Sequence, residues 1–222
     1  MDLQELLADQ PSLHTNEYGL PANYAPNEQV LHALLSYLKP GMQTLETGSG
    51  YSTIAFAIAQ THHTSISPYA NEQACIRAYM DSKHIGSDTV FVTNGSDLAL
   101  ASPGVVPAVL DFVLIDGAHR FPFAIIDFHY TEAQIKIGGM LCVDDVDMPS
   151  VRILYQYLLG EKEWKLVSLV KNTAFFERVS FAVVEADWKA QQINKRFKQM
   201  GALKSKIPQP IKLLVKKLFL KA

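Results

Sequence analysis

The sequence lacks any hydrophobic run that could cross a membrane, and it lacks the opening of a secreted protein. A membrane helix requires roughly 18 or more consecutive apolar residues, and no stretch approaches that length. The chain begins MDLQELLADQPS, which is acidic and polar, whereas a secretory signal begins basic and then becomes apolar. We therefore expect a cytoplasmic protein.

Cysteine is also scarce, since Cys75 and Cys142 are the only two. They form no CxxC pair, and their contexts, a predicted helix and a predicted strand, indicate two buried thiols. A disulfide between them is not expected in a reduced compartment. With 48% hydrophobic and 19% charged residues, the 222-residue chain can build the core of one α/β domain but not of two full domains.

Charge is distributed unevenly along the chain. Residues 1–187 contain 10 Lys and Arg against 22 Asp and Glu, a net charge of −12, whereas residues 188–222 contain 10 Lys and Arg and no acid. The segment 10–26 is rich in Pro, Asn and Gly. We therefore divide the chain into an N-terminal lid or loop segment over 1–26, a main domain over 27–187 and a basic helical tail over 188–222.

The basic tail has an amphipathic pattern. Its apolar face would carry Ile211, Leu214, Val215 and Leu218, and its basic face Lys212, Lys216 and Lys217. We favour packing of the apolar face on the domain or on a second copy in a homodimer. The alternative is weak contact with an anionic membrane surface, at about 1 kcal/mol per nearby lysine. Nucleic acid is not an expected partner, because the tail has one arginine and few aromatic residues.

Short apolar runs alternate with helical stretches in the main domain. A helix opens near Asn27, and five strand–helix units follow it. The predicted strands are 42–45, 64–66, 90–93, 111–115 and 139–143, and the predicted helices are 51–60, 71–83, 123–136 and 151–159. A further pair, 165–170 and 173–179, is joined by a tight turn. The pattern predicts an open, mostly parallel sheet that binds ligands beyond the carboxyl ends of its strands.

A glycine-rich turn, ETGSGYST, follows the first predicted strand from Glu46 to Thr53. Two glycines one residue apart allow a sharp turn and the close approach of a ligand, and a helix N-terminus follows. A dinucleotide-binding turn would have a third glycine at Thr53. Because that glycine is absent, we favour a cationic cofactor whose amino-acid part Glu46 could bond, directly or through water. The alternative is a plain structural turn.

ETGSGYST resembles motif I of the class I S-adenosylmethionine-dependent methyltransferases, and its Gly-Tyr-Ser ending resembles that of the catechol and caffeoyl-CoA O-methyltransferases. The resemblance covers about residues 27–179. It implies a Rossmann-like three-layer α/β sandwich whose seven-stranded, mostly parallel sheet has the order 3-2-1-4-5-7-6, with an antiparallel hairpin at one edge. It also implies S-adenosylmethionine as cofactor, with its methionine end held by Glu46, Gly48, Ser49, Gly50 and Ser52.

The ends of the second and third predicted strands provide candidate residues for the ribose and the adenine of that cofactor. The resemblance implies an acid after the second strand that would bind both ribose hydroxyls, but the sequence there reads SISP. Ser67 could make one hydrogen bond, and Glu72, one turn further on, could reach back. Ser96 and Asp97, after the third strand, stand where adenine is usually contacted, although both residue types also cap helices. His14 lies in the predicted lid and could approach a substrate, a suggestion based only on its position in the sequence.

Acidic residues and a histidine follow the next two strands. DGAH runs from Asp116 to His119, and Asp144 and Asp145 follow the fifth strand. Adjacent parallel strands bring these ends together, and carboxylates about 4 Å apart repel by roughly 4 kcal/mol at an effective dielectric of 20. Such a cluster must take up a proton, bind a cation or stay apart, and oxygen ligands with open positions suit Mg²⁺. The alternative is that the aspartates cap a helix and His119 is an ordinary loop histidine.

DGAH followed by DD resembles the metal-dependent O-methyltransferases, including those that act on sugars in macrolide biosynthesis. The resemblance implies that Asp116, Asp144 and Asp145 ligate the metal, that Asp116 also contacts the cofactor, and that His119 is the catalytic base. Vicinal hydroxyls of a small acceptor would chelate Mg²⁺, His119 would remove a proton, and the oxygen would attack the sulfonium methyl.

We therefore expect a small-molecule O-methyltransferase assisted by Mg²⁺. One rival is a different enzyme on the same scaffold, since relatives in cephalosporin biosynthesis are associated with hydroxylation. The other is a catalytically silent subunit that keeps the glycine turn and engages a partner through the basic tail. The missing acid near Ser67 is the feature that favours the silent subunit.

Overall fold

The fold is built on a sheet of seven strands: β1 (Gln43–Thr47), β2 (His62–Ser67), β3 (Thr89–Thr93), β4 (Leu110–Ile115), β5 (Ile135–Val143), β6 (Trp164–Val170) and β7 (Thr173–Arg178). Their order in the sheet is 3-2-1-4-5-7-6. Strands β1 to β5 run parallel, and β7 pairs antiparallel with both β5 and β6. The predicted sheet, its strand order and its edge hairpin are confirmed.

The computed structural model describes residues 1–15, 20–22, 27–86, 88–181 and 194. The faces predicted for the basic tail therefore lie outside the described residues. Among the residues that are described, no helix is both long enough and apolar enough to cross a membrane.

Within the described part of residues 1–181, seven helices accompany the sheet: α1 (Leu3–Asp9), α2 (Glu28–Tyr37), α3 (Tyr51–Ile58), α4 (Ala70–Ser82), α5 (Ser96–Ala101), α6 (Phe123–Thr131) and α7 (Pro149–Leu158), with a short 3₁₀ turn at Glu132–Gln134. The alternating side chains of β4 show how they form layers. Phe112 and Leu114 pack in one hydrophobic cluster with α1 to α4, whereas Val113 and Ile115 pack in the other with α5 to α7. This arrangement is the predicted three-layer sandwich.

The N-terminal segment differs from the lid or loop predicted over 1–26, because it begins with α1. Asp2 and Glu5 form a reciprocal capping box, and Leu3 and Leu6 are buried in the cluster that also contains α2 and α3. After α1, His14–Thr15 pairs with Pro21–Ala22 in a two-residue antiparallel ribbon. The start of the segment is therefore part of the core.

Two further expectations need correction. The helix predicted over 123–136 ends at Thr131, whose hydroxyl donates back to the Asp127 carbonyl, and β5 begins at Ile135, four residues before its predicted start. Of the two thiols predicted to be buried, Cys142 is buried, whereas Cys75 is exposed on α4. Both thiols are free.

Candidate active site

A cavity of about 1270 Å³ opens where the carboxyl ends of the parallel strands meet. The loops after β1 to β5 line it, together with His14 of the N-terminal ribbon and the turn between β6 and β7. The structure brings twelve predicted site residues to this cavity: Gly48, Ser49, Gly50, Ser52, Ser67, Glu72, Ser96, Asp97, Asp116, His119, Asp144 and Asp145. The predicted spatial grouping of the motifs is therefore present in the structure.

Gly48 allows the loops after β1 and β4 to touch. Its φ is +93°, and a Cβ at this position would stand 2.3 Å from the backbone oxygen of Asp116. Neither the backbone conformation nor the contact accommodates a side chain. The glycine turn and the start of the DGAH segment are thus held together by backbone atoms.

Glu46 lies beneath the glycine turn and is not among the residues that line the cavity. Its side chain is fully buried, and its carboxylate accepts hydrogen bonds from the hydroxyls of Ser52 (2.6 Å), Ser65 (2.8 Å) and Thr53. His63 Nε2 lies 3.2 Å from the same carboxylate. These contacts fix the shape of the turn, and the expected contact between Glu46 and a cofactor stays a prediction.

Thr53 occupies the position where a dinucleotide-binding turn has its third glycine. Its buried hydroxyl donates to Glu46 and accepts from the Gly50 amide at 2.9 Å. A glycine here would leave the buried carboxylate without one of its donors. Thr53 thus gives the buried acid a hydrogen bond that a glycine could not supply.

The ends of β2 and β3 place four predicted cofactor residues at the cavity wall. Ser67 Oγ accepts from the Tyr69 amide at 3.3 Å, and Glu72 lies in the first turn of α4. Gly95, not Ser96 or Asp97, is the N-cap of α5, and no side chain caps that helix. The capping role considered for Ser96 and Asp97 is therefore not observed.

His119 stands between two carboxylates of the acidic cluster. Its Nε2 lies 3.4 Å from Asp116 Oδ1, and its Nδ1 lies 3.3 Å from Asp145 Oδ2. The interaction with Asp116 raises the pKa of His119, against the opposing effect of burial. Burial raises the pKa of Asp116 to about 7. The contact with His119 opposes this increase, and the neighbouring Asp144 carboxylate adds to it. The two groups affect each other's protonation, because the contact that favours the imidazolium also favours the ionised Asp116 carboxylate.

The turn between β6 and β7 supplies donors to the other two aspartates, a role that the sequence analysis missed. Thr173 donates its hydroxyl to Asp144, and Asn172 donates its side-chain amide to Asp145. Asp145 also adopts a positive φ of 52°, a conformation that Asp tolerates better than most residues. The sequence did contain a signal for this role. The polar pair Asn172-Thr173 follows the predicted strand 165–170 and could donate hydrogen bonds to the acidic end of a neighbouring strand.

The carboxylates do not fit the expected Mg²⁺ site as they are arranged. Asp116 and Asp145 face the His119 ring, and Asp144 and Asp145 accept hydrogen bonds from Thr173 and Asn172. Among the described residues, no group of three or more His, Cys, Asp or Glu side chains could hold a metal ion. The described residues therefore do not show the expected Mg²⁺ site.

Residues 45–146 match the family of methyltransferase domains. The matched segment runs from β1 to the loop after β5 and contains both the glycine turn and the acidic cluster. No curated protein sequence matches the chain.

Several solved methyltransferases share the fold. The O-methyltransferase TomG from Streptomyces achromogenes, involved in tomaymycin synthesis and solved in complex with SAM, has a TM-score of 0.61 at 20% identity, over 79% of this chain and 90% of that chain. A methyltransferase from Geobacter sulfurreducens has a TM-score of 0.57 at 14% identity, over 70% and 80%. An rRNA methylase from Streptococcus thermophilus has a TM-score of 0.56 at 11% identity, over 72% and 99%.

Proposed function

We propose that this chain, which has the class I S-adenosylmethionine-dependent methyltransferase fold, transfers a methyl group to a hydroxyl of a small molecule. The observation that carries the proposal is that the glycine turn and the His119 cluster line the same cavity. S-adenosylmethionine would supply an electrophilic methyl group on a sulfonium. The cavity would hold that cofactor and the acceptor side by side.

The charge of the cavity supports a cationic cofactor and argues against a phosphate-rich acceptor. Five carboxylates line it, and the described lining residues include no lysine or arginine: the acids are Glu72, Asp97, Asp116, Asp144 and Asp145. Carboxylates attract a sulfonium and repel phosphates in an enclosed site. This favours a neutral or cationic small molecule over RNA as acceptor.

His119 is the group we assign to the acceptor proton. The cofactor would supply the methyl group as its carbon–sulfur bond breaks, the hydroxyl oxygen would form the new bond to carbon, and His119 would take up the hydroxyl proton on its imidazole. The resulting imidazolium is stabilised by Asp116 and Asp145, which flank the ring at 3.3–3.4 Å. For this transfer, the neutral His119 ring must rotate so that one of its nitrogens leaves its carboxylate and faces the acceptor hydroxyl. We assign no step of this mechanism to Mg²⁺.

Formation of S-adenosylhomocysteine with a panel of hydroxylated small molecules tests the proposal. We expect His119→Ala to lower kcat by about 10²–10⁴-fold while leaving cofactor affinity within a few-fold of wild type. His62→Ala, which removes an exposed histidine at the start of β2, is the matched control and should change neither quantity. Wild-type kcat in His119→Ala would refute the role of the base, and no binding of S-adenosylmethionine at millimolar concentration would favour the silent subunit.

A further inference from the structure

The N-terminal ribbon places His14 beside the first turn of α4. Its Nδ1 lies 3.1 Å from Glu72 Oε2, and the two side chains are only 11% and 16% exposed. Its other ring nitrogen, Nε2, lies 3.0 Å from the point where a Cβ on Gly50 would stand. His14 therefore connects the glycine turn after β1 to an acid near the end of β2, and all three residues line the cavity.

The position of His14 gives Gly50 a reason to be glycine. Its φ is 173°, an extended backbone conformation that any residue adopts. A Cβ would meet the imidazole at a distance tighter than ordinary van der Waals contact. The second glycine of the turn thus makes room for a side chain from the N-terminal segment, whereas the first makes room for the loop after β4.

Glu72 is the acid that α4 brings to the carboxyl end of β2. In sheets of this kind, an acid about 20 residues after the glycine turn accepts a hydrogen bond from a ribose hydroxyl. Ser67 and Pro68, which end and follow β2, provide no carboxylate. Glu72 lies in the first turn of the helix that begins at Ala70 and lines the same cavity as Ser67.

We propose that Glu72 binds the ribose hydroxyls of the cofactor and that His14 positions its carboxylate by donating from Nδ1 to Oε2. The inference rests on S-adenosylmethionine being the cofactor. A carboxylate has about four acceptor sites, so one bond to His14 leaves acceptors for two hydroxyls. A side chain that is already held in place loses less conformational entropy when the ligand binds. The N-terminal ribbon then belongs to the cofactor site.

Calorimetric titration of the full chain with S-adenosylhomocysteine and with its 2′-deoxyribose analogue tests this assignment. Wild type should bind the analogue about 10-fold or more weakly, because a hydrogen bond to a charged group is lost. Glu72→Gln should bind S-adenosylhomocysteine about 10–100-fold more weakly and should lose most of the discrimination between the two ligands.

His14→Ala should weaken binding by a smaller factor, about 3–10-fold, because Glu72 remains but is no longer held. The double variant should bind no more weakly than Glu72→Gln alone, since the two residues act through one carboxylate. His14→Gln keeps a donor and should recover part of the affinity. Glu72→Asp, which keeps the charge on a shorter side chain, serves if Glu72→Gln does not fold.

The exposed pair formed by His62 and Asp88 is the matched control. Its Nδ1–Oδ2 distance is 3.4 Å, and His62 begins β2 at the end opposite Ser67. His62→Ala and Asp88→Asn should leave both affinities unchanged. Retained discrimination in Glu72→Gln, or His14→Ala effects that add fully to those of Glu72→Gln, would overturn the inference. Failure of wild type to bind S-adenosylhomocysteine at all would instead overturn the proposed function on which it rests.

Discussion

Replacing Gly48 with alanine tests whether the backbone contact between the loops after β1 and β4 shapes the cofactor site. The substitution has two costs. The left-handed backbone, with φ at +93°, disfavours any Cβ, and that Cβ would stand 2.3 Å from the Asp116 oxygen, against about 3.4 Å for ordinary contact. The Asp116 carbonyl must therefore move by about 1 Å for the alanine to fit.

Gly41 separates the two costs. It has a similar φ of +79°, but a Cβ there would meet nothing within 4 Å. Its amide donates to the Gln60 carbonyl, at the end of the sheet opposite the cavity. Gly41→Ala therefore carries the backbone cost alone, whereas Gly48→Ala carries the backbone cost and the steric displacement.

The expected magnitudes follow from these costs. A left-handed alanine costs roughly 1–2 kcal/mol, and overpacking adds roughly 1–3 kcal/mol. At about 2–4 °C per kcal/mol, Gly41→Ala should lower Tm by about 2–8 °C, and Gly48→Ala by about 4–20 °C. Because a misplacement of about 1 Å at a site can cost about 10²-fold in rate, Gly48→Ala should also lose about that factor in kcat/KM.

Differential scanning fluorimetry and S-adenosylhomocysteine formation measure the two effects. Gly41→Ala should keep wild-type kcat/KM despite its lower Tm. Equal Tm and equal kcat/KM for the two variants would refute the argument that Gly48 is required by the approach of Asp116.

Two more substitutions test buried acids near the site. Glu46→Gln should lower the free energy of unfolding, measured by urea denaturation, by about 1–3 kcal/mol. The reason is that an amide nitrogen replaces a carboxylate oxygen that accepts hydrogen bonds from hydroxyls. Unchanged stability would contradict the structural role of Glu46 in the turn. Burial raises the pKa of Asp127, with Ser96 and Thr47 opposing the shift, so the folded state binds more protons than the unfolded state as pH rises above 3.8. Wild type should therefore lose stability as pH rises through that raised pKa, whereas Asp127→Asn should lose less; parallel profiles of Tm against pH would contradict this.

The strand order and the grouping of the motifs could be predicted because parallel strands gather their carboxyl ends at one edge. The direction of individual side chains could not. The sequence ended the first strand at Leu45, which placed Glu46 in the loop, whereas β1 continues to Thr47. Successive side chains of a strand point to opposite faces of the sheet. Because Glu46 belongs to β1, the strand geometry directs its side chain into the core, whereas a loop residue could have faced a ligand. A boundary error of this size changes the role of a residue without changing the fold.

Contacts between distant segments were equally hidden in the sequence. His14 and Glu72 are 58 positions apart and meet through a two-residue ribbon that no hydrophobic pattern marks. Asn172 lies in the turn before β7 and Thr173 begins that strand. The length of this turn was predicted, but its direction depends on the antiparallel pairing of β7 with β5. In both cases the residue types could be read from the local sequence, whereas the residues that they contact depend on how distant strands pair.

The acidic cluster shows that one physical constraint can be met by more than one occupant. Neighbouring carboxylates must take up a proton, bind a cation or stay apart, and the sequence favoured a metal cation. In the structure, burial raises the pKa of Asp116 to about 7, and the His119 ring lies between Asp116 and Asp145. The neutral imidazole can accept a proton from an acceptor hydroxyl, and the two carboxylates would stabilise the imidazolium that forms. The same arrangement therefore supplies the base that the proposed transfer of a methyl to a hydroxyl requires.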